Sequence, residues 1–289
     1  MSIQKSLRLS LVLMACLPLI FLTIFTYNLS YKKYMDLATQ STVELAKNYG
    51  MGFQSQLNSQ IAEVEGLANG TNIQNLVLEN YNGVTLGNDS PYYTNVTDLF
   101  ATASDYAGNN VNYYLYDVNG YYITSSDNTN TDDWQEHMAI PVEDITETKI
   151  LQCSPLDEIE SIDVVSPIII KSQIVGLIRA NITSRYFGSF IPEDGSAFIM
   201  TNDGGYLFTS TGLTGQRELE TQAFNCLNGA DNAKDYGHLK ASSFKNIYGF
   251  CKLSDSNWLY LIKQQGTQYQ QILATLPITM SITLIIILM

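Results

Sequence analysis

The residues best suited to chemistry lie in one stretch near the middle of the chain. Trp134 sits among Asp132, Asp133 and Glu136, and three tyrosines, Tyr114, Tyr116 and Tyr122, precede it. Aromatic faces attract an ammonium group through the ring quadrupole, and carboxylates offset its charge. Tyr114 and Tyr116 are two residues apart, so on a strand they share a face. The set suits the capture of an amine. The same residue types also suit a packed sheet surface, a core tryptophan and a solvated acidic loop.

Charge distribution points the same way. Between Lys47 and Lys149 there is no Lys or Arg, while the same stretch holds 14 Asp and Glu. An α-carboxylate is normally held by a bidentate guanidinium, and this region supplies none. The expected ligand is therefore cationic or neutral, and a standard α-amino acid is disfavoured. The whole chain carries a net charge of −13. That argues against nucleic acid as a partner, because phosphate binding needs a basic patch.

Catalytic and metal chemistry find little support. His137 and His238 are far apart in sequence, and the four cysteines, Cys16, Cys153, Cys226 and Cys251, show no C-x-x-C spacing. Asp127-Asn-Thr-Asn-Thr-Asp-Asp133 alternates oxygen ligands, but it lacks the Gly and the terminal Glu of a calcium loop. No P-loop, G-x-S-x-G, H-E-x-x-H or dinucleotide fingerprint occurs. No metal, no cofactor and no enzymatic activity are expected. Cys226 and Cys251 admit two readings, a disulfide in an oxidising compartment or two small buried hydrophobes.

The elements that position these residues begin and end in apolar runs. Leu9–Leu29 is almost unbroken apolar and long enough, at 1.5 Å per residue, to cross a ~30 Å hydrocarbon core. Lys5 and Arg8 precede it, which places residues 1–8 in the cytoplasm. The run is longer than a signal peptide's apolar region and lacks a small-residue cleavage site, so an uncleaved anchor is expected. Residues 273–289 contain no charge and read as a second span. The chain stops inside that span, so continuation into the cytoplasm is expected. Residues 30–272 then face the exterior, and the lipid bilayer is a partner at both ends.

Between the spans, apolar residues recur at helical spacing: Leu37, Leu45, Phe53, Leu57, Ile61, Val64, Ala68. This predicts one long helix over 30–70, ending at Asn69-Gly70-Thr71, with Gly50 and Gly52 working against continuity. A helix of that length suits packing against a second copy of the chain, so a homodimer is expected. Four hairpins follow. They pair 111–117 with 121–124, 164–170 with 173–182 across Lys171-Ser172, 197–201 with 206–209, and 243–252 with 258–264. Two similar hairpins opening on Asx-Gly turns suggest two copies of one small α+β unit, divided near Ile191–Gly195.

In this order of elements the chain resembles the double Cache sensor family. Leu115-Tyr-Asp-Val-Asn-Gly120 and Ile199-Met-Thr-Asn-Asp-Gly-Gly-Tyr206 are similar to its D-x-x-G hairpins, Val175-Gly-Leu-Ile-Arg-Ala-Asn181 to its G-x-x-x-x-D strand, and Asn257-Trp-Leu-Tyr-Leu-Ile262 to its closing strand. The resemblance implies an α+β fold: a long N-terminal helix and two PAS-like antiparallel-sheet domains, at 71–190 (membrane-distal) and 191–268 (membrane-proximal), flanked by the two spans. It also implies ligand binding in the distal domain, and output through a cytoplasmic diguanylate cyclase, histidine kinase or chemotaxis module. In the family's amino-acid-binding subset a Tyr, an Arg five residues on and a Trp two further meet a downstream Tyr and Asp. Anchored on Trp134, the Arg position falls on Asp132, the first Tyr on Asp127 and the final Asp on Asn181, so only the Trp is kept. Taken with the aromatic and acidic residues above, the expected site residues are Tyr114, Tyr116, Tyr122, Asp132, Trp134 and Asn181. The competing expectations are an anchored surface hydrolase, which needs a close pair of titratable groups, and an adhesive surface protein, which needs no site.

Overall fold

A computed structural model describes residues 3–83, 90–127, 134, 140–152, 161–192, 196–202, 204–208, 216–228, 235–240 and 246–265, with side chains undescribed for most of the first 16. The first helix, α1, runs unbroken over Ile3–Ala68. It joins the first apolar run to the amphipathic stretch without a break between them. Asn69 closes it as the sequence suggests, with its backbone and its side chain both donating to the Glu65 carbonyl at 3.1 and 2.8 Å.

Its buried stripe is Ala38, Thr42, Ala46, Phe53, Leu57, Gln60, Val64 and Ala68. From Phe53 onward this matches the expected periodicity at Phe53, Leu57, Val64 and Ala68, with Ile61 only partly buried beside the wholly inward Gln60. Before Phe53 it does not: Leu37 is exposed and the small residues Ala38, Thr42 and Ala46 face inward. The reason is a close crossing with a strand. Gly249 lies so near α1 that a Cβ on it would sit 2.5 Å from the Thr42 carbonyl oxygen. Gly50 serves the same contact, since a Cβ on it would meet Cys251 Cβ at 2.9 Å, and Gly52 makes room for the Phe190 ring, in the segment between the two sheets' strands. The glycines weaken the helix locally but let it seat on the sheet. Gly66 has no such duty; it is exposed, with nothing within 4 Å of an added Cβ. Gly66→Ala is expected to stabilise the fold by about 0.5–1 kcal/mol, read as a raised thermal midpoint.

Two further helices, α2 (Thr71–Tyr81) and α3 (Pro91–Tyr106), follow α1. The second opens on a cap, Ser90 Oγ accepting from the Tyr93 amide, with Pro91 in the first turn, where its missing N–H costs nothing. Among the described residues, ten strands then form two antiparallel sheets. The first contains β1 (Val111–Asp117), β2 (Tyr122–Ser125), β3 (Lys149–Gln152), β4 (Ser161–Ile170) and β5 (Gln173–Thr183), in the order β2-β1-β5-β4-β3. The second contains β6 (Ala197–Met200), β7 (Tyr206–Leu207), β8 (Tyr236–Leu239), β9 (Asn246–Leu253) and β10 (Trp258–Gln265), in the order β7-β6-β10-β9-β8. The two orders are one topology used twice, in agreement with the two-copy reading. All four expected hairpins are present. The β4–β5 turn places Lys171 and Ser172 at φ 49° and 64°, a left-handed pair that matches the twist of the flanking strands.

Helix α1 packs against strands of both sheets, β4 and β5 in the first and β8, β9 and β10 in the second. One apolar core runs the length of this contact, from Ala46 through Phe53 and Val64 to Ile162 and Ile182. The outer face of the second sheet is closed by α4 (Arg217–Asn228), where Leu219, Ala223 and Leu227 cover Phe198, Met200, Phe250, Leu259 and Leu261. Cys226 and Cys251 are free thiols. Cys251 faces α1 and Cys226 packs on the α4 side, so the second sheet lies between them and the disulfide reading gives way to the buried-hydrophobe one. Among the described residues, no helix is long and apolar enough to cross a membrane. Residues 273–289 lie outside the described residues.

Candidate functional site

Strand alternation decides what each face of the first sheet carries. On β1, Val111, Tyr113 and Leu115 point toward α1, whereas Tyr114 and Tyr116 point away. On β5, Ile178, Ala180 and Ile182 point toward α1 and Leu177 away, so Arg179 and Asn181 also face outward. On β4 the same rule sends Asp163 and Val165 outward. Tyr114 stands directly opposite Arg179, and Asp163 directly opposite Asn181.

The outer face is therefore aromatic with a charged centre. Trp134 is wholly buried over it. Its backbone amide donates to Gly120 at 2.7 Å and its indole N–H to the Ile140 carbonyl at 2.6 Å. The Trp134 and Tyr116 rings meet edge to face at 5.8 Å, and Tyr122 meets Tyr116 at 6.5 Å. Arg179 lies over the Tyr114 ring, with Cζ 5.1 Å from the centroid. Its Nε is 3.0 Å from Asp163 Oδ1. Asn181 Nδ2 donates to that same oxygen at 2.9 Å and to Ser161 Oγ at 3.0 Å. At the other edge Tyr114 and Ser125 both donate to Asp127, at 3.4 and 3.2 Å, and the Tyr122 and Ser125 hydroxyls bond at 2.9 Å.

Burial and charge set the protonation of the face. Burial penalises the Arg179 cation, but adjacent Asp163 outweighs this and holds its pKa above the usual value. Burial also raises the pKa of Tyr114, reinforced by Asp127, and that of Tyr116 and Tyr122. The folded protein thus holds these phenolic protons more tightly than the unfolded chain does. Their contribution to stability is complete below about pH 10 and is lost as pH rises from there through the folded-state values. In an alkaline titration the phenolate absorbance of these tyrosines is expected to appear only together with loss of near-ultraviolet circular dichroism. Phenolate formation in a still-folded protein would contradict the assignment.

Five of the six expected site residues fall on this face: Tyr114, Tyr116, Tyr122, Trp134 and Asn181. Asp132 lies outside the described residues, as do Asp133, Glu136 and His137. Arg179, Asp163 and Asp127 complete the face. The absence of basic residues between Lys47 and Lys149 is real, yet the site draws its guanidinium from β5, beyond that interval. The signal was present in the sequence. Arg179 and Asp163 are charges set into apolar strands of one hairpin, and its two-residue turn fixes their register.

The fold is that of bacterial sensor domains. The ligand-binding domain of the Pseudomonas aeruginosa PAO1 chemoreceptor PctC, solved with GABA, matches with TM-score 0.52 and 16% identity over 78% of this chain and 99% of that one. The V. cholerae histidine kinase DctB sensor domain matches at 0.52, with 11% identity over 82% of this chain and 98% of that one. A domain of a sensory box/GGDEF family protein from Vibrio parahaemolyticus matches at 0.57, with 10% identity over 81% and 98%. No family model and no curated protein matches the sequence.

Proposed function

We propose that this chain, which has the two-sheet fold of double Cache sensor domains, detects a small ligand outside the membrane on the outer face of its first sheet and passes the signal inward. The observation that carries this reading is the buried Arg179–Asp163 pair among Tyr114, Tyr116 and Trp134. The equivalent face of the second sheet is filled by apolar side chains from α4. A buried ion pair often stabilises a fold no better than an apolar replacement of similar volume, so a buried charged centre found, among the described residues, on the first sheet only is better explained by binding than by packing. The named ligands of structural neighbours, GABA among them, are small and amine-bearing. Among the described site residues one cation stands against two carboxylates, Asp127 and Asp163. That balance favours a cationic or net-neutral ligand, and Asp132, Asp133 and Glu136 add to it in sequence.

The membrane arrangement rests on sequence and exposure together. Residues 9–29 and 273–289 are the two spans, with 71–190 distal and 191–268 proximal in the exterior portion. Met14, Leu17, Phe21, Leu22, Phe25 and Leu29 on α1 are all exposed; lipid would cover them. Past the bilayer, α1 continues as a stalk that pairs with a second copy. Binding is coupled to it through β1. Tyr114 contributes to the site, and its neighbour Tyr113 reaches the opposite face, where its hydroxyl donates to Gln60 of α1 at 3.3 Å. Gln60 in turn donates to the Tyr186 hydroxyl, between the two sheets, at 2.9 Å. A ligand that prefers one seating of β1 on α1 shifts the pair, and the output lies in a cytoplasmic module.

A thermal-shift screen of the full chain in detergent micelles tests the reading, because a specific binder raises the midpoint by mass action. Amines, zwitterions and neutral polar compounds are expected to supply a stabilising ligand whose effect is lost in Tyr116→Ala. Stabilisation insensitive to every outer-face substitution, or reporter fusions placing residues 30–272 in the cytosol, would refute it.

A further inference from the structure

Arg179 is more than nine-tenths buried, yet only part of its donor set is engaged. Nε lies 3.0 Å from Asp163 Oδ1 in an ion pair, yet neither Nε nor Nη1, both buried, makes a well-directed hydrogen bond among the described residues. The Tyr116 hydroxyl is buried beside the same guanidinium, which acts on its protonation as a nearby donor would, but no hydrogen bond of normal geometry joins it to any described residue. Buried donors in native proteins are almost always satisfied, since an unmet one loses its hydration for nothing. Two such groups converging from β5 and β1 on the outer face define a place for an acceptor atom. Asp163 is held in turn by Asn181, so the ion pair anchors the guanidinium on its Nε side and Nη1 is the nitrogen left for a ligand.

We infer that Arg179 contacts the ligand, donating from Nη1 to one acceptor oxygen with Tyr116 beside it, and that Asp163 sets the site's charge preference by cancelling the guanidinium. The ligand class is a small net-neutral or cationic molecule carrying an acceptor oxygen: a hydroxyl, an amide, or the single carboxylate of a zwitterion. A bare guanidinium would favour a dianion, whereas one already paired with a carboxylate does not. This rests on the sensor reading above and narrows it.

Isothermal titration of the full chain in micelles with choline, L-serine, GABA, putrescine and succinate tests the inference. At least one of the three oxygen-bearing ammonium compounds is expected to bind, with succinate weaker by about tenfold or more. Arg179→Met is expected to weaken that compound by about tenfold or more and to leave any putrescine binding undiminished or stronger, because Asp163 then has no counter-charge, with Arg179→Lys recovering only part of the loss. Asp163→Asn is expected to shift the ratio of succinate to oxygen-bearing ammonium binding toward succinate by about tenfold. The double variant Asp163→Leu/Arg179→Met removes the pair together; it should fold and still fail to bind the oxygen-bearing compound, which separates lost recognition from lost structure. The inference falls if succinate binds tightest to the unmodified chain, if none of the five binds, if Arg179→Met keeps full affinity, or if Asp163→Asn leaves the ratio unchanged. A ligand whose binding survives Arg179→Met but not Tyr116→Ala would sink this inference and leave the sensor reading standing. Binding insensitive to both would sink the reading.

Discussion

Asp163→Leu is expected to lower stability by about 3–5 kcal/mol, a fall in thermal midpoint of roughly 6–20 °C for a chain of this size. Asp163 is wholly buried and is the carboxylate against Arg179 Nε. Without it a guanidinium remains in an aromatic surround with no counter-charge, and the full desolvation penalty falls on the folded state. Arg179→Met is expected to cost less, because Asp163 keeps its bonds from Asn181. Removing both partners as Asp163→Leu/Arg179→Met is expected to return stability to within about 1 kcal/mol of the unmodified chain, or above it. The pair therefore shows a large non-additive coupling in a double-mutant cycle, measured by denaturant unfolding in micelles. Additive losses would mean that the two groups do not compensate each other, and the charged centre would lose its physical basis.

The second large effect is at the crossing of α1 and β9. Gly249→Val is expected to destabilise by about 3 kcal/mol. A Cβ there meets the Thr42 carbonyl oxygen at 2.5 Å, its carbon at 2.9 Å and Ala46 Cβ at 3.2 Å. These are mostly backbone atoms in mid-helix, which no rotamer change can move. The valine must push α1 off the second sheet and disturb Thr42, whose hydroxyl sits 2.7 Å from Gln264 Oε1 of β10. Set beside Gly66→Ala, the two glycine substitutions bear on one helix with opposite signs. An unchanged midpoint for Gly249→Val would show that α1 does not seat on β9. That would remove the closest of the contacts by which the long helix engages the second sheet.

The hairpins were legible in the sequence because turn chemistry and alternation are local. Asn119-Gly120 and Lys171-Ser172 each mark a reversal without reference to distant residues. The repeat of strand order follows from those hairpins once the central strands pair. Other features depend on what comes across from elsewhere in the chain. Helices α2 and α3 lie between two strongly patterned segments, and only the Ser90-Pro91 cap announces the second. The inward face of α1 before Phe53 is small instead of apolar, because Gly249 brings β9 within contact distance, so Leu37 was misplaced by periodicity alone. Proximity in sequence to Trp134 does not point to Arg179, because β5 delivers it by pairing with β1. The thiols of Cys226 and Cys251 could not be separated in sequence; the sheet between them does that.

Trp134 and Trp258 are the only two tryptophans of the chain, so a ligand landing beside Trp134 can be detected directly. Trp258 belongs to β10 of the second sheet. In a Trp258→Phe full chain, titration with the strongest binder among choline, L-serine and GABA should give a saturable change in Trp134 emission, and Arg179→Met should abolish it at the same concentrations. A saturable change carried by Trp258 in a Trp134→Phe chain, with Trp134 silent, would move binding to the other sheet and contradict the account.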